Sequence, residues 1–192
     1  MKKRELKIGK SFNPKSQRIV GLFAAQLDEQ LSNLKRFVKD LTVKQLEWQP
    51  KPGINTIGML LAHFVVAEYF WTKIAPHGFS WNPDGQKMIM KAFGIEDDGI
   101  PLPANGKHPR FLKGFTVASY FSMLDKSRRI RNNELKKWFD KDLDKLYQLG
   151  KKTQCSRTAT LHHVLEHFCA HFGQILLLKH MMRDAGILKA KK

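Results

Sequence analysis

Cysteine is almost missing from this chain: 192 residues contain only Cys155 and Cys169. Two thiols without CxxC spacing exclude a disulfide framework, a cysteine zinc site and a dithiol redox centre. Cys169 falls in an apolar helical segment and is expected to behave as a small hydrophobe. No run approaches the roughly eighteen apolar residues that a membrane span needs. Met1-Lys2-Lys3-Arg4 could open a signal peptide, but residues 5–15 are polar and supply no apolar region. These absences predict a cytoplasmic protein with no membrane partner. Proline and glycine are sparse, at 8 and 13, and leave a globular composition long enough for one well-buried core and short for two. One domain over residues 1–192 is expected, with basic tails at 1–12 and 187–192.

Negative charge is also scarce. Thirty-four Lys and Arg face 17 Asp and Glu, a formal net charge of +17. Such a balance attracts nucleic acid, anionic membranes or acidic small molecules without choosing among them. The cations are spread over both tails and a central stretch containing Arg128, Arg129, Arg131, Lys136 and Lys137. Acidic residues interrupt that stretch at Asp125, Glu134, Asp140, Asp142 and Asp144. A solvated face is the expected reading, and no specific nucleic acid is expected as partner.

What the chain does have is helical periodicity. Asn13-Pro14 reads as a helix start. Val20, Phe23, Leu27, Leu31, Leu34, Val38 and Leu41 then mark one face at spacings of three and four. Thr42 with Gln45 forms a capping box for a short turn before Pro50-Lys51-Pro52-Gly53. Asn55 or Thr56 caps a second helix, apolar nearly all round, that runs to about Ile74 and stops at Pro76. Residues 76–115 are broken by proline and glycine and leave room for one short helix near 87–93. So long an irregular excursion is expected to cover a pocket. Thr116 caps a third helix carrying Leu124, Leu135 and Trp138, with Ser127, Arg128 and Arg131 at inward positions. A fourth starts near Thr158 or Thr160 and runs to about Asp184, with Gly186 beyond its end. The class expected is all-α: a four-helix bundle with a long irregular connection between helices two and three.

Eight histidines are present. His163, His167 and His171, each four residues apart, stack on one face of the fourth helix. His167 and His171 share their stripe with Val164, Gln174 and Leu178, and so point toward a core. His63 lies in line with Leu60, Ala67, Phe70 and Ile74 on the second helix. Buried neutral imidazoles need a hydrogen-bond partner or a metal. Two facing helices, one giving a single His and the other an i, i+4 pair, can place three nitrogens around one point. Three such ligands are the count of a catalytic divalent site with an open position.

The stretch from Asn55 to His63, with Glu68 and Trp71, resembles the second-helix signature of the DinB/YfiT-like superfamily, which is unrelated to the DNA polymerase sharing the DinB name. His163-Val164-Leu165-Glu166-His167 followed by His171-Phe172-Gly173-Gln174-Ile175 resembles its last-helix signature, and residues 42–50 are similar to its first connection. The resemblance implies a bundle with a divalent metal held by His63, His167 and His171, and His163 at a frequent but non-ligating position. The family often carries Arg where this chain has Phe172, a departure that bears on substrate more than on metal. Zinc is the expected ion, with nickel and iron as alternatives. The implied activity is that of a metal-dependent enzyme, a low-molecular-weight-thiol S-transferase first and a hydrolase second. His163, Glu166, Gln174, Arg128 and Arg131 are candidates for the surroundings of the ion, the two arginines as cleft groups for a thiol's carboxylates. A small-molecule substrate is the expected partner, with a homodimer left open.

Other readings stand beside this one. His163-xx-Glu166-His167 matches the HxxEH pattern of inverzincin metallopeptidases, which would make His163 a ligand in place of His171 and Glu166 the general base. The histidines could also be core residues without metal. A non-catalytic, metal-stabilised binding protein engaging nucleic acid through its basic surface is the alternative function. If the charge is only a solvated face, binding to duplex DNA will be weak and sequence-independent. It will vanish by about 200 mM salt, as phosphate-only contacts do. A filter-binding titration across salt checks this, and a sequence-specific complex persisting above that concentration would overturn it.

Overall fold

The computed structural model describes residues 5–97, 100 and 102–188. Four long helices make the bundle: α1 (Arg18–Val38), α3 (Ile57–Tyr69), α5 (Val117–Leu135) and α6 (Arg157–Asp184), with short α2 (Val43–Leu46) and α4 (Gln86–Phe93) in the connections. Helix α1 packs on α5 and α6, and both of these pack on α3, which closes a four-sided ring. The all-α bundle expected from periodicity is present, and the excursion between α3 and α5 is where the second-to-third connection was placed.

Local chemistry accounts for most helix ends. Thr42 and Gln45 form the reciprocal capping box at α2, and Thr56 caps α3 by accepting from the Met59 amide. Thr116 and Ser119 make a second box at α5, and Ser156 caps α6. Helix α3 continues through a wide turn at Phe70–Ile74 and a tight one at Ala75–His77 before Gly78, in the left-handed region at φ 84°, ends it. The run Ile57–His77 is long and apolar enough to cross a membrane by composition, contrary to the reading from the sequence, but most of it is buried within the bundle. Gly58 is obligatory there: a Cβ would lie 2.6 Å from the Tyr120 hydroxyl of α5.

Three elements differ from expectation. Helix α1 begins at Arg18, not Asn13, because Asn13 is spent on a turn in which its side chain accepts from the Lys15 amide. Its first amides are capped from far away: Asp140 accepts from Ile19 and Val20 at 3.1 and 3.2 Å. Helix α5 stops at Leu135, so Trp138 enters a second small core with Phe12, Val20 and Leu161 from outside the helix. A hairpin that the sequence did not announce, β1 (Leu146–Leu149) against β2 (Thr153–Ser156), precedes α6.

The inward polar positions of α5 form a buried charge cluster. Arg128 and Arg131 each meet Glu68 of α3 through Nε, at 3.0 and 3.2 Å, and Asp28 of α1 through their guanidinium ends, at 3.0 and 2.6 Å. Arg131 is fully buried and Glu68 nearly so. Burial, reinforced by Arg128, pulls the Arg131 guanidinium down to about 10 against the opposing pull of Glu68 and Asp28. Both carboxylates offset the cost of taking the two guanidinium groups out of water. Removing one partner of a buried pair strands the others at a cost of about 3–5 kcal/mol. Glu68→Ala is accordingly expected to lower unfolding stability by about that amount in a urea titration, with Glu68→Gln close behind. A loss within the scatter of surface substitutions would show the cluster to be dispensable.

Candidate metal centre

The seam between α3 and α6 is set by Phe64 and Phe168, stacked with ring centroids 4.2 Å apart. Each phenylalanine is preceded by a histidine, so the seam carries His63 and His167 to the same place, and the α6 turn adds His171. Nε2 of His167 lies 2.9 Å from Nε2 of His63 and 3.1 Å from Nε2 of His171. The three ligand atoms fall within 4.8 Å of one another.

Hydrogen bonds on the far side of two rings decide what these nitrogens present. Nδ1 of His63 meets Oδ2 of Asp97 at 2.5 Å, and Nδ1 of His171 meets Oε1 of Gln174 at 2.8 Å. An acceptor at Nδ1 holds the proton there, which leaves Nε2 bare. Two bare nitrogens thus flank Nε2 of His167, which has one proton at most to offer and cannot satisfy both. Nor is protonation an easy remedy. Burial, then the neighbouring His63 and His171, hold His167 down to about 3, and burial also lowers His171. The donor set fits a divalent cation: imidazole nitrogens about 2.0–2.1 Å from a tetrahedral ion sit roughly 3.3 Å apart.

Asp97 was not foreseen in the sequence. It lies in the irregular excursion after α4, where Ile95 is fully buried and Gln86 donates to the Asp97 carbonyl. The excursion does line a pocket, as its length suggested. A cleft of about 620 Å³ opens on the three histidines, walled by Met59, Leu60, Ile100, Leu102, Phe111 and Leu112, with Asn55, Glu96 and Gln174 as polar groups.

Several candidates sit elsewhere. Arg128 and Arg131 do not line the cleft; buried Glu68 and the exposed Asp28 pair with them inside and at the edge of the bundle. Glu166 is 65% exposed, 3.9 Å from His162 on the outer face of α6, and so is out of reach of a base role. His163 stacks against Trp71 at 4.5 Å between ring centroids, one turn before His167, and is outside the converging set. The HxxEH reading therefore lacks both its ligand and its base. Gln174 is in place, bonded to His171. Cys169 is exposed instead of buried. His108 is half-buried, with Nδ1 2.9 Å from the Thr56 hydroxyl.

The DinB superfamily model matches residues 26–175, most of the chain and every element of the bundle. The protein belongs to the DinB superfamily. The crystal structure of a DinB-like protein from Bacillus cereus ATCC 10987 is similar in fold, with a TM-score of 0.50 at 18% identity, covering 89% of this chain and 95% of that one. No curated protein matches the sequence. Family and fold agree with a His site that could hold a metal ion.

If the triad is the ligand set, His63→Ala, His167→Ala and His171→Ala will each abolish stoichiometric metal in protein purified without an affinity tag. His163→Ala and Glu166→Ala will retain it. Asp97→Asn, which keeps the shape and removes the charge behind His63, is expected to weaken metal binding about 10–100-fold. Competition with a chelator measures this. Metal lost with His163 and kept without His171 would restore the HxxEH assignment.

Proposed function

We propose that this DinB superfamily member is a divalent-metal-dependent enzyme that activates a small nucleophile at a three-histidine site. One observation carries the reading: three Nε2 atoms converge with two of them stripped of protons from behind, and they do so at the floor of an open cleft. A structural zinc site closes with four protein ligands, whereas a set of three leaves a position for water or substrate. A divalent ion there brings the pKa of a bound water or thiol toward neutrality. Zinc suits the donors first, nickel and ferrous iron after it.

The protein's own groups have distinct tasks in this scheme. Asp97 and Gln174 hold the protons of His63 and His171 at Nδ1 and fix both rings. Met59, Leu60, Leu102, Phe111 and Leu112 exclude water from one side and present apolar surface to a substrate. Glu96 places an exposed carboxylate in the lining. The resemblance in the sequence favours a low-molecular-weight thiol as nucleophile, with water second. Among the described residues the lining contains no lysine or arginine. A thiol is then recognised through the amides of Asn55 and Gln174 and through apolar contact, not through a carboxylate clamp on Arg128 and Arg131.

Metal-loaded protein should therefore turn over an apolar electrophile with one of several cellular thiols, and chelation should stop the reaction. Phe111→Ala is expected to raise KM for the apolar acceptor about tenfold while metal content stays unchanged. Metal-dependent cleavage of esters or amides without thiol would assign the hydrolase. No turnover in either screen, with a coordinatively saturated ion, would overturn catalysis.

A further inference from the structure

A second concavity lies across the wall of the cleft. It measures about 550 Å³ and is lined by Glu47, Gln49, residues 50–52, Lys107, His108, Arg110 and Lys113. Four of these, Lys51, Lys107, Arg110 and Lys113, are exposed cations drawn from two segments more than fifty residues apart. Like charges do not gather this way without cost, and here the cost is met by specific staples. Gln49 accepts from the His108 amide at 3.1 Å and donates to the carbonyls of Ile54 and Gly106. The Gly53 amide donates to Gly106 at 2.8 Å, and the Gly114 amide to Glu47 at 2.6 Å. Gly53, in the left-handed region at φ 86°, lets the two segments touch: a Cβ would lie 2.8 Å from the Ala104 carbonyl oxygen.

None of the four cations enters an ion pair with a described residue, whereas Lys35, Lys73, Lys137, Lys145, Arg128 and Arg131 all do. Among the described residues Glu47 is the one carboxylate in the lining. Four unpaired cations against one anion leave an excess of three positive charges around a pocket the size of a small ligand. A single carboxylate would neutralise only part of that excess. A phosphate or diphosphate matches it in charge and offers several oxygens to cations arriving from different directions.

We propose that this cavity is a binding site for the phosphate group of a small phosphorylated ligand, separate from the histidine cleft. The assignment is independent of the metal reading, since it uses no residue of the triad. Calorimetric titration with inorganic pyrophosphate, orthophosphate and acetate tests it on the intact protein. One equivalent of pyrophosphate should bind saturably, orthophosphate more weakly and acetate least. The Lys107→Glu/Arg110→Glu double variant should weaken pyrophosphate about tenfold or more, and Lys87→Glu/Lys91→Glu, the same charge change on exposed α4, by less than about twofold. Amide shifts of Gln49, Lys107, His108 and Arg110 in the unmodified protein provide a readout that does not depend on a variant folding. Equal losses in both variants, acetate binding as tightly as pyrophosphate, shifts scattered over the surface, or binding of duplex DNA without a saturable pyrophosphate site would each overturn the proposal.

Discussion

The contact on which the rest depends is the stacking of Phe64 on Phe168 between α3 and α6. It fixes the separation and rotation of two helices whose histidines stand one residue before each phenylalanine. A helix cannot move His63 without moving Phe64, and the ring stack is part of the close-packed core that resists such motion. The hydrophobic core therefore sets the geometry of the polar site. This explains how His167 can lie within hydrogen-bonding distance of both His63 and His171 although each imidazole would be better solvated apart. Gly58, pressed on Tyr120, performs the same service on the other flank of α3 by letting α5 approach.

Holding three imidazoles together creates an electrostatic demand that the protein does not meet with its own groups. Asp97 and Gln174 take the protons to the outer nitrogens, so the inner ones face each other as acceptors. Burial and mutual repulsion keep His167 neutral far below the usual imidazole range, and a proton is thereby refused as the remedy. A divalent cation at this point would supply the missing charge. The contrast with Arg128 and Arg131 is instructive. There two carboxylates, Glu68 and Asp28, stand against two guanidinium groups, so the cluster's charges balance within the protein.

The sequence made the bundle legible because each long helix writes its apolar face at a period near 3.6 and most of its caps locally. Thr42, Thr56 and Thr116 are caps that any reader could find. The start of α1 was not, because Asp140 supplies its cap from a distant segment. The convergence of His63, His167 and His171 was legible as spacing on α6 plus one histidine on a facing seam. Asp97 was not, since a loop carboxylate carries no periodicity and gains its meaning only when Gln86 and Ile95 fold the excursion back. Arg128 and Arg131 were correctly seen to turn inward, but sequence could not say which carboxylates awaited them. Inward position alone does not distinguish a cleft from a charge-paired core.

The same limit governs the net charge of +17, which as a total said little. Between residues 107 and 113 polar and apolar side chains are interleaved without the strict alternation that marks a half-buried strand. The backbone there makes only a tight turn at Arg110–Leu112. The interleaving has another cause: the segment is a partition. Pro109, Phe111 and Leu112 line the histidine cleft, while Lys107, His108, Arg110 and Lys113 line the basic concavity behind it. One stretch of chain thus keeps cations out of the site where a metal's positive charge would repel them. It gathers those cations where Glu47 is the one carboxylate of the described lining to face them. Excess charge becomes informative only when the fold sorts paired from unpaired, and this partition is where that sorting is sharpest.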